Sequence, residues 1–249
     1  MSTPLLSLRS VGIVDDRGAR PRAVLSDISF DLQAGEQFGI WGARRCGKTA
    51  LLNVAGGRIA PHSGCVYFMG RDMAEMSDGE LADLRRREIG WVQRTPPQME
   101  MPLLDWIAYS APEDAPYRRR EREAADLLER IGIEQERFRL RWSELSDGER
   151  ALAGIANALV RKPRLLIADD PTTALDAGER DRVTLMLRLL SDEQQIGMLM
   201  SAPDMGTLRY VKRFASLSDG GLTEAEVKDE PGPEAEVISI HERRGAAGQ

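Results

Sequence analysis

The residues with the clearest chemical potential lie in one stretch between an apolar segment, residues 38–41, and a helical segment, residues 50–55. A glycine-bounded turn that ends in Gly-Lys-Thr directs backbone N–H groups and the positive end of a helix at phosphate. The lysine then reaches the β- and γ-phosphates, and the hydroxyl binds Mg²⁺. We therefore predict a nucleotide site made of Gly42, Ala43, Arg44, Arg45, Cys46, Gly47, Lys48, Thr49 and Ala50.

A second group of reactive side chains follows an apolar run. Residues 164–171 predict a buried parallel strand that ends in two carboxylates, Asp169 and Asp170. The carboxyl ends of parallel strands meet at one edge of a sheet, where ligands bind. We expect Asp169 to hold Mg²⁺, usually through water.

A third group lies at the start of a predicted helix. Ser146 and Glu149 have the spacing of a capping box, and apolar residues then follow with a helical period. The N-terminus of such a helix can bind an anion. An ordinary capped helix explains the same pattern, and these residues alone leave both interpretations open.

Strands and helices on both sides of these groups must position them. Alternation of polar and apolar residues, turn residues and capping signals mark their limits. Strands are predicted at residues 5–11, 25–32, 64–70, 89–92, 197–201 and 214–217, and helices at residues 77–87, 118–131 and 178–190. This mixture predicts an α/β fold in which a small antiparallel sheet flanks the nucleotide core.

Composition limits the class of protein. The 249 residues are 42% hydrophobic and 30% charged, as in a globular protein, and no apolar run approaches the ~20 residues of a membrane span. The start of the chain lacks the pattern of a signal peptide, so a cytoplasmic location is expected. The net charge of −6 argues against nucleic acid as the main ligand. Two cysteines do not make a disulfide framework or a metal site.

The composition changes from Thr223 onward. Acidic residues with interspersed prolines predict a disordered tail over residues 223–249. Within it, residues 237–240 carry a weak signal for a strand that adds to the edge of a partner's sheet.

Taken in order, these residues resemble the nucleotide-binding subunit of ABC transporters. The matching motifs are Walker A at residues 42–49, the Q-loop at Gln93, the signature at residues 145–149, Walker B at residues 165–169 and the D-loop at residues 174–176. Residues 77–90 look like the subgroup of macrolide-export, lipoprotein-release and cell-division proteins. The resemblance runs from about residue 5 to residue 222.

The resemblance implies an ABC ATPase fold: a P-loop, RecA-like core, an antiparallel β subdomain and an inserted helical subdomain at about residues 94–144, all within residues 1–222. It implies ATP and Mg²⁺ as ligands, with Gln93, Thr49 and Asp169 at the metal. It also implies a head-to-tail dimer in which Ser146 and Gly148 complete the partner's ATP site. The partners implied are membrane permease subunits and a second ABC ATPase subunit, at the inner face of the cell membrane.

The chain departs from the family's pattern at several catalytic positions. Asp170 stands where the family has a catalytic Glu, and its side chain is shorter by about 1.5 Å. Pro203 stands where the family has a switch His that contacts the γ-phosphate. Asp147 replaces the first glycine of the signature pair, and residues 13–15 lack the aromatic that stacks on adenine. The approach to Gln93 is one residue shorter than usual.

Three hypotheses follow. In the first, the chain binds Mg-ATP but hydrolyses it slowly or not at all, with Asp170 as a weak general base, and pairs with a different, competent ATPase. In the second, it is an ordinary homodimeric ATPase. In the third, it is a regulatory subunit that responds to nucleotide without turnover. Soluble ABC proteins of ribosomes or DNA fit less well, since they carry two cassettes or a coiled coil.

Three side chains within the phosphate loop have alternative interpretations. Arg44 and Arg45 either point to solvent or add attraction for phosphate. Cys46 adjoins a helix N-terminus and two arginines, an environment that favours the thiolate and would permit a redox role. The simpler interpretation makes it a small residue in place of serine.

Overall fold

The computed structural model describes residues 3–16, 21–94, 99–173, 175–208, 210–211, 213–227 and 237–239. Its strands are β1 (Leu6–Asp15), β2 (Arg22–Leu32), β3 (Gln37–Trp41), β4 (Ser63–Phe68), β5 (Arg71–Asp72), β6 (Ile89–Val92), β7 (Leu165–Asp169), β8 (Gly197–Ala202), β9 (Arg213–Ser218), β10 (Gly221–Val227) and β11 (Val237–Ser239). Its α-helices are α1 (Lys48–Ala55), α2 (Asp78–Arg87), α3 (Leu103–Ser110), α4 (Tyr117–Arg130), α5 (Asp147–Leu159) and α6 (Ala177–Gln194).

The larger sheet holds the nucleotide motifs. Its strand order is β11-β10-β9-β3-β8-β7-β6, and β9, β3, β8, β7 and β6 pair in parallel. Trp41 is opposite Ala202, and Asp169 is opposite Ser201. The ends of β3, β8 and β7 therefore meet at one edge, which brings the phosphate loop next to the carboxylates.

The smaller sheet has the order β2-β1-β4-β5 and is antiparallel. One apolar cluster joins it to α1 and to one face of the larger sheet, through buried residues such as Leu8, Ile28, Phe38, Leu52 and Ile167. Burial of this shared core fixes α1, and with it the phosphate loop, between the two sheets.

A second apolar cluster covers the opposite face of the larger sheet. It joins α3, α4, α5 and α6 to that sheet through buried residues such as Ile107, Leu128, Ile155, Leu187 and Met198. The sequence analysis did not identify α3, whose N-cap is Pro102 without a capping side chain. The two capping boxes that it did identify, at Ser77 and Ser146, are both present.

The C-terminal region differs from the predicted tail. The strand predicted at residues 214–217 lies within β9, which forms a hairpin with β10, and β10 continues past Thr223 to Val227. β11 then pairs antiparallel with β10 and forms one edge of the larger sheet, so residues 237–239 extend the chain's own sheet. Pairing of these residues with a partner's sheet stays a prediction. Residues 228–236 and 240–249 lie outside the described residues, as do residues 95–98 and Ala174 of the predicted Q-loop segment and D-loop.

Candidate functional site

The phosphate loop occupies the turn between Trp41 and Lys48. Arg45 and Gly47 have positive φ angles of 65° and 110°. At Gly47 a Cβ would lie 3.1 Å from the Val24 carbonyl oxygen and 3.1 Å from Leu25 Cδ2. A side chain at this position would therefore be strained by both conformation and contact. Turns with such residues form the concave arrangement of N–H groups that binds anions.

Lys48 lies inside this loop. Its side-chain ammonium donates hydrogen bonds to the carbonyl oxygens of Gly42, at 2.6 Å, and Ala43, at 3.2 Å. The residue is only 6% exposed. A buried ammonium needs oxygen partners, and phosphate oxygens can replace the two carbonyls. The loop thus holds a positive charge in a concave turn.

Thr49 and Asp169 meet at the edge of the sheet. The Thr49 hydroxyl donates to Asp169 Oδ2 at 2.9 Å and lies 3.3 Å from Oδ1. Both groups are hard oxygen donors of the kind that Mg²⁺ prefers, and neighbouring ligands of an octahedral Mg²⁺ lie about 2.9 Å apart. The donor set and its spacing fit a magnesium ion.

Ser201, at the end of β8, links both carboxylates. Its hydroxyl lies 2.9 Å from Asp169 Oδ1 and 3.4 Å from Asp170 Oδ1, and it accepts the Asp170 backbone N–H at 2.9 Å. The side chain is fully buried. Ser201 was not among the predicted site residues, because its position opposite Asp169 depends on the register of β7 and β8.

Asp170 lies just beyond β7 in an unusual environment. Its φ angle is +44°, and the residue is 4% exposed. Arg94 Nη2 lies 2.6 Å from Asp170 Oδ2. Burial raises the pKa of Asp170 above its usual range, whereas the positive charges of Lys48 and Arg94 act to lower it and the charge of Asp169 acts to raise it.

Arg94 is the residue next to the predicted Q-loop glutamine. Within the described chain, Arg94 rather than Gln93 contacts the carboxylates of β7; Gln93 is exposed. The last ladder pair is Val92 with Ala168, so continuing this register places residue 94 beside Asp170. The approach from β6 is one residue shorter than the family's usual form, which agrees with this placement. The assignment of Gln93 to Mg²⁺ stays a prediction.

Arg58 is a further cation at this edge that sequence reasoning missed. Its guanidinium carbon lies 3.6 Å from the centroid of the Trp91 ring, a cation–π arrangement. Burial lowers the pKa of Arg58, and the Arg85 charge adds to this, whereas the Asp169 charge opposes it. Arg58 follows the glycines that end α1, and only the fold brings it to Trp91.

The predicted signature lies at the N-terminus of α5. Ser146 accepts the Glu149 N–H at 3.2 Å, and Glu149 Oε2 accepts the Ser146 N–H at 2.7 Å. A Cβ on Gly148 would lie 2.6 Å from Glu179 Oε1. Ser146, Gly148 and Glu179 line a cavity of about 240 Å³. Among the described residues, those that line this cavity do not include any residue of the phosphate loop of the same chain.

The segment in which the family has its switch histidine forms a bend after β8. Pro203 is exposed, and the adjacent Asp204 accepts the Thr207 N–H at 2.9 Å. His62 instead accepts the Val14 N–H in the smaller sheet, at 3.4 Å. Ile13, in the segment that lacks the family's adenine-stacking aromatic, is buried.

The described residues contain no cluster of three or more His, Cys, Asp or Glu side chains that could hold a metal ion. In the same part of the chain, every helix is too short or too polar to cross a membrane.

A parallel sheet with a glycine-bounded phosphate loop and two carboxylates at the same edge defines a P-loop nucleotide-binding domain. The family described as ABC transporter matches residues 25–173, more than half of the chain. The chain therefore belongs to the ABC transporter family.

Two curated relatives place it within that family. The macrolide export ATP-binding/permease protein MacB of Bordetella avium (strain 197N) is 35% identical in an alignment of 246 residues that covers 94% of this chain and 35% of that protein. The macrolide export ATP-binding/permease protein MacB 1/2 of Paracoccus denitrificans (strain Pd 1222) is 35% identical in an alignment of 225 residues that covers 88% of this chain and 33% of that protein. The predicted likeness to the macrolide-export subgroup is confirmed.

A solved structure supports the fold. The dimeric, ADP- and Pi-bound post-hydrolysis state of the ATP-binding cassette MJ0796 matches with a TM-score of 0.81 at 24% identity, covering 90% of this chain and 99% of that chain. The predicted ABC ATPase fold is confirmed. At this identity the match concerns the fold alone.

Proposed function

We propose that this chain is the ATP-binding part of a membrane ABC transporter and that its own site hydrolyses ATP slowly or not at all. The observation that carries the proposal is the cluster of Lys48, Thr49 and Asp169 beside a strained, glycine-bounded loop. In this proposal Lys48 and the loop N–H groups bind the phosphates. The oxygens of Thr49 and Asp169 hold Mg²⁺, which supplies charge neutralisation at the phosphates when bound.

The argument for slow hydrolysis rests on two positions. Asp170, as general base, reaches about 1.5 Å less far than a glutamate, and base catalysis depends first on reach. Pro203 offers no donor to the γ-phosphate, and losing one preorganised donor costs on the order of 10²–10³ in rate. Each effect acts on the transition state rather than on ATP binding.

The proposed partners are a permease and a second, competent ATPase at the inner face of the membrane. Both MacB relatives are named ATP-binding/permease proteins, and the chain spans only 35% and 33% of their lengths. A permease would therefore be a partner or a further segment here. Ser146 and Gly148 would complete the partner's ATP site, and Gln93 with the helical subdomain would face the permease.

An ordinary homodimeric ATPase is the second candidate. It is favoured by Asp170, which retains a carboxylate at the base position, and by the dimeric state named for the MJ0796 cassette. A regulatory subunit without turnover remains the third hypothesis, and it predicts the same nucleotide binding as the first.

Thermal unfolding with and without MgATP tests the proposal. A ligand at about 100 times its dissociation constant stabilises the folded state by about 2.7 kcal/mol. We expect this stabilisation for the wild-type chain and its loss in Lys48→Ala, whose ammonium is the buried cation of the loop. Phosphate release then separates the candidates. Ordinary turnover by the purified chain alone, abolished by Asp170→Asn, would contradict the slow site and favour the homodimeric ATPase.

A further inference from the structure

One contact at the site belongs to none of the roles described so far. Arg94 Nη2 lies 2.6 Å from Asp170 Oδ2, the carboxylate at the position of the general base. The Arg94 side chain is 48% exposed, whereas the Asp170 side chain is 6% exposed. A flexible, half-exposed cation thus holds a buried carboxylate.

The contact occupies one oxygen of Asp170. Oδ2 is held by Arg94 at 2.6 Å, whereas Oδ1 lies 3.4 Å from the Ser201 hydroxyl, which is closer to Asp169 Oδ1, at 2.9 Å. A general base needs a lone pair directed at the attacking water, within hydrogen-bond reach. The arginine fixes the orientation of the carboxylate and competes with that water for Oδ2.

The alternative is an ordinary surface ion pair, as between Arg119 and Glu123 on α4, where the nitrogen and oxygen are 3.0 Å apart. Exposed pairs of that kind contribute little. The Arg94 pair differs because its carboxylate is buried and lies next to Asp169, Lys48 and Ser201. Losing the partner of a buried carboxylate has consequences that losing an exposed partner does not.

We propose that Arg94 is a positioning residue that restrains Asp170, so that the carboxylate accepts the proton of the attacking water only after Arg94 moves away. This inference rests on the proposed function. Phosphate oxygens are strong partners for a guanidinium, so bound ATP offers Arg94 an alternative to Asp170. In the reaction, the oxygen of water bonds to the γ-phosphorus, the bond to the ADP oxygen breaks, and Asp170 takes the water proton. Slow turnover then has a cause besides the short side chain.

Substitutions at Arg94 test the restraint in the full chain. Arg94→Gln keeps a polar side chain but removes the charge, and we expect phosphate release to rise by about tenfold, a part of the roughly 10²–10⁴-fold that general base catalysis supplies. Arg94→Lys retains the charge without the planar fork, so its gain should be smaller. The matched control is Arg119→Gln on α4, which removes an exposed ion pair away from the site and should leave turnover unchanged. In an Asp170→Asn background, Arg94→Gln should give no gain.

A second measurement needs no nucleotide. A double-mutant cycle measures how strongly the two side chains interact, from the Tm values of wild type, Arg94→Gln, Asp170→Asn and the double variant. We expect the double variant to be more stable than the sum of the single effects, because removing both partners leaves no unpaired buried charge. If Arg94→Gln fails to fold, Arg94→Lys carries the same test.

Two outcomes would overturn the restraint. If turnover falls in both Arg94→Gln and Arg94→Lys, Arg94 donates to the phosphate and does not restrain Asp170. If turnover is unchanged and the Tm effects of the two substitutions add, Arg94 is an ordinary surface charge. MgATP-induced stabilisation, measured on every variant, separates this failure from that of the proposed function. If wild type is not stabilised, the proposed function fails. If it is stabilised and Arg94→Gln is not faster, only the inference fails.

Discussion

Gly47 offers the sharpest test of the phosphate loop, because the structure itself sets the size of the effect. Replacing it with alanine forces a side chain into a conformation with φ of 110°, at a cost of about 1–3 kcal/mol. The new Cβ would also lie 3.1 Å from both the Val24 carbonyl oxygen and Leu25 Cδ2. We expect Gly47→Ala to lower the free energy of unfolding by about 2–4 kcal/mol in total.

This change should be visible in thermal unfolding. For a chain of this size, 1 kcal/mol shifts the Tm by about 2–4 °C, so the expected fall is roughly 4–16 °C. MgATP should stabilise the variant much less than wild type, because the β3–α1 turn must move to admit the methyl group. Differential scanning calorimetry without and with MgATP measures both effects.

Gly79 provides the matched control. It lies in the first turn of α2, where a Cβ would meet nothing within 4 Å. Alanine there reduces the freedom of the unfolded chain, so Gly79→Ala should be neutral or stabilise by up to about 1 kcal/mol. If Gly47→Ala is as stable as Gly79→Ala and binds MgATP as well as wild type, the argument from loop geometry is wrong.

Three further predictions concern other parts of the molecule. Asp170→Glu lengthens the side chain of the general base, so phosphate release should rise by about tenfold. The larger side chain overpacks a buried position and should lower the free energy of unfolding by about 1–3 kcal/mol. If the variant folds and binds MgATP but releases phosphate no faster, the length of the Asp170 side chain does not limit hydrolysis. Glu179→Gln removes a negative charge beside Gly148. Two charges ~5 Å apart in water interact by about 0.8 kcal/mol, so the variant should show ATP-dependent dimerisation that is tighter by roughly 4-fold at low salt. Equal association of the variant and the wild type in sedimentation would refute this. The pKa of Glu80 is lowered to about 2, chiefly by the backbone N–H of Ser77. The difference in free energy of unfolding between wild type and Glu80→Gln should therefore be largest above about pH 4.5 and vanish as the pH falls toward about 2. Urea unfolding at each pH measures this difference.

Local signals account for the elements that the sequence predicted well. The capping boxes of α2 and α5 satisfy their helix termini within three residues of chain, so Ser77 and Ser146 could be identified without a fold. The phosphate loop is equally local, since one glycine-bounded turn contains both its lysine and its hydroxyl. Alternating polarity located β2 because Ile28, Phe30 and Leu32 are buried on one face, whereas Ser29 between them is exposed.

Elements without such local signals were missed. α3 has no capping side chain and is stabilised by burial against α4 and α5. Residues 237–239 had a weak strand signal, but nothing in their own sequence indicated that β10 is the neighbouring strand.

The sequence by itself determined the kind of ligand, because the glycines, Lys48 and Thr49 are neighbours in the chain. It also identified Asp169 and Asp170, since both end an apolar strand. Only the tertiary structure decided what surrounds them. The contacts of Ser201 and Arg94 with these carboxylates arise from the register of three parallel strands that are far apart in the chain. A one-residue change in that register would turn each side chain to the opposite face of the sheet, which is why residue spacing alone could not reveal the partner of Asp170.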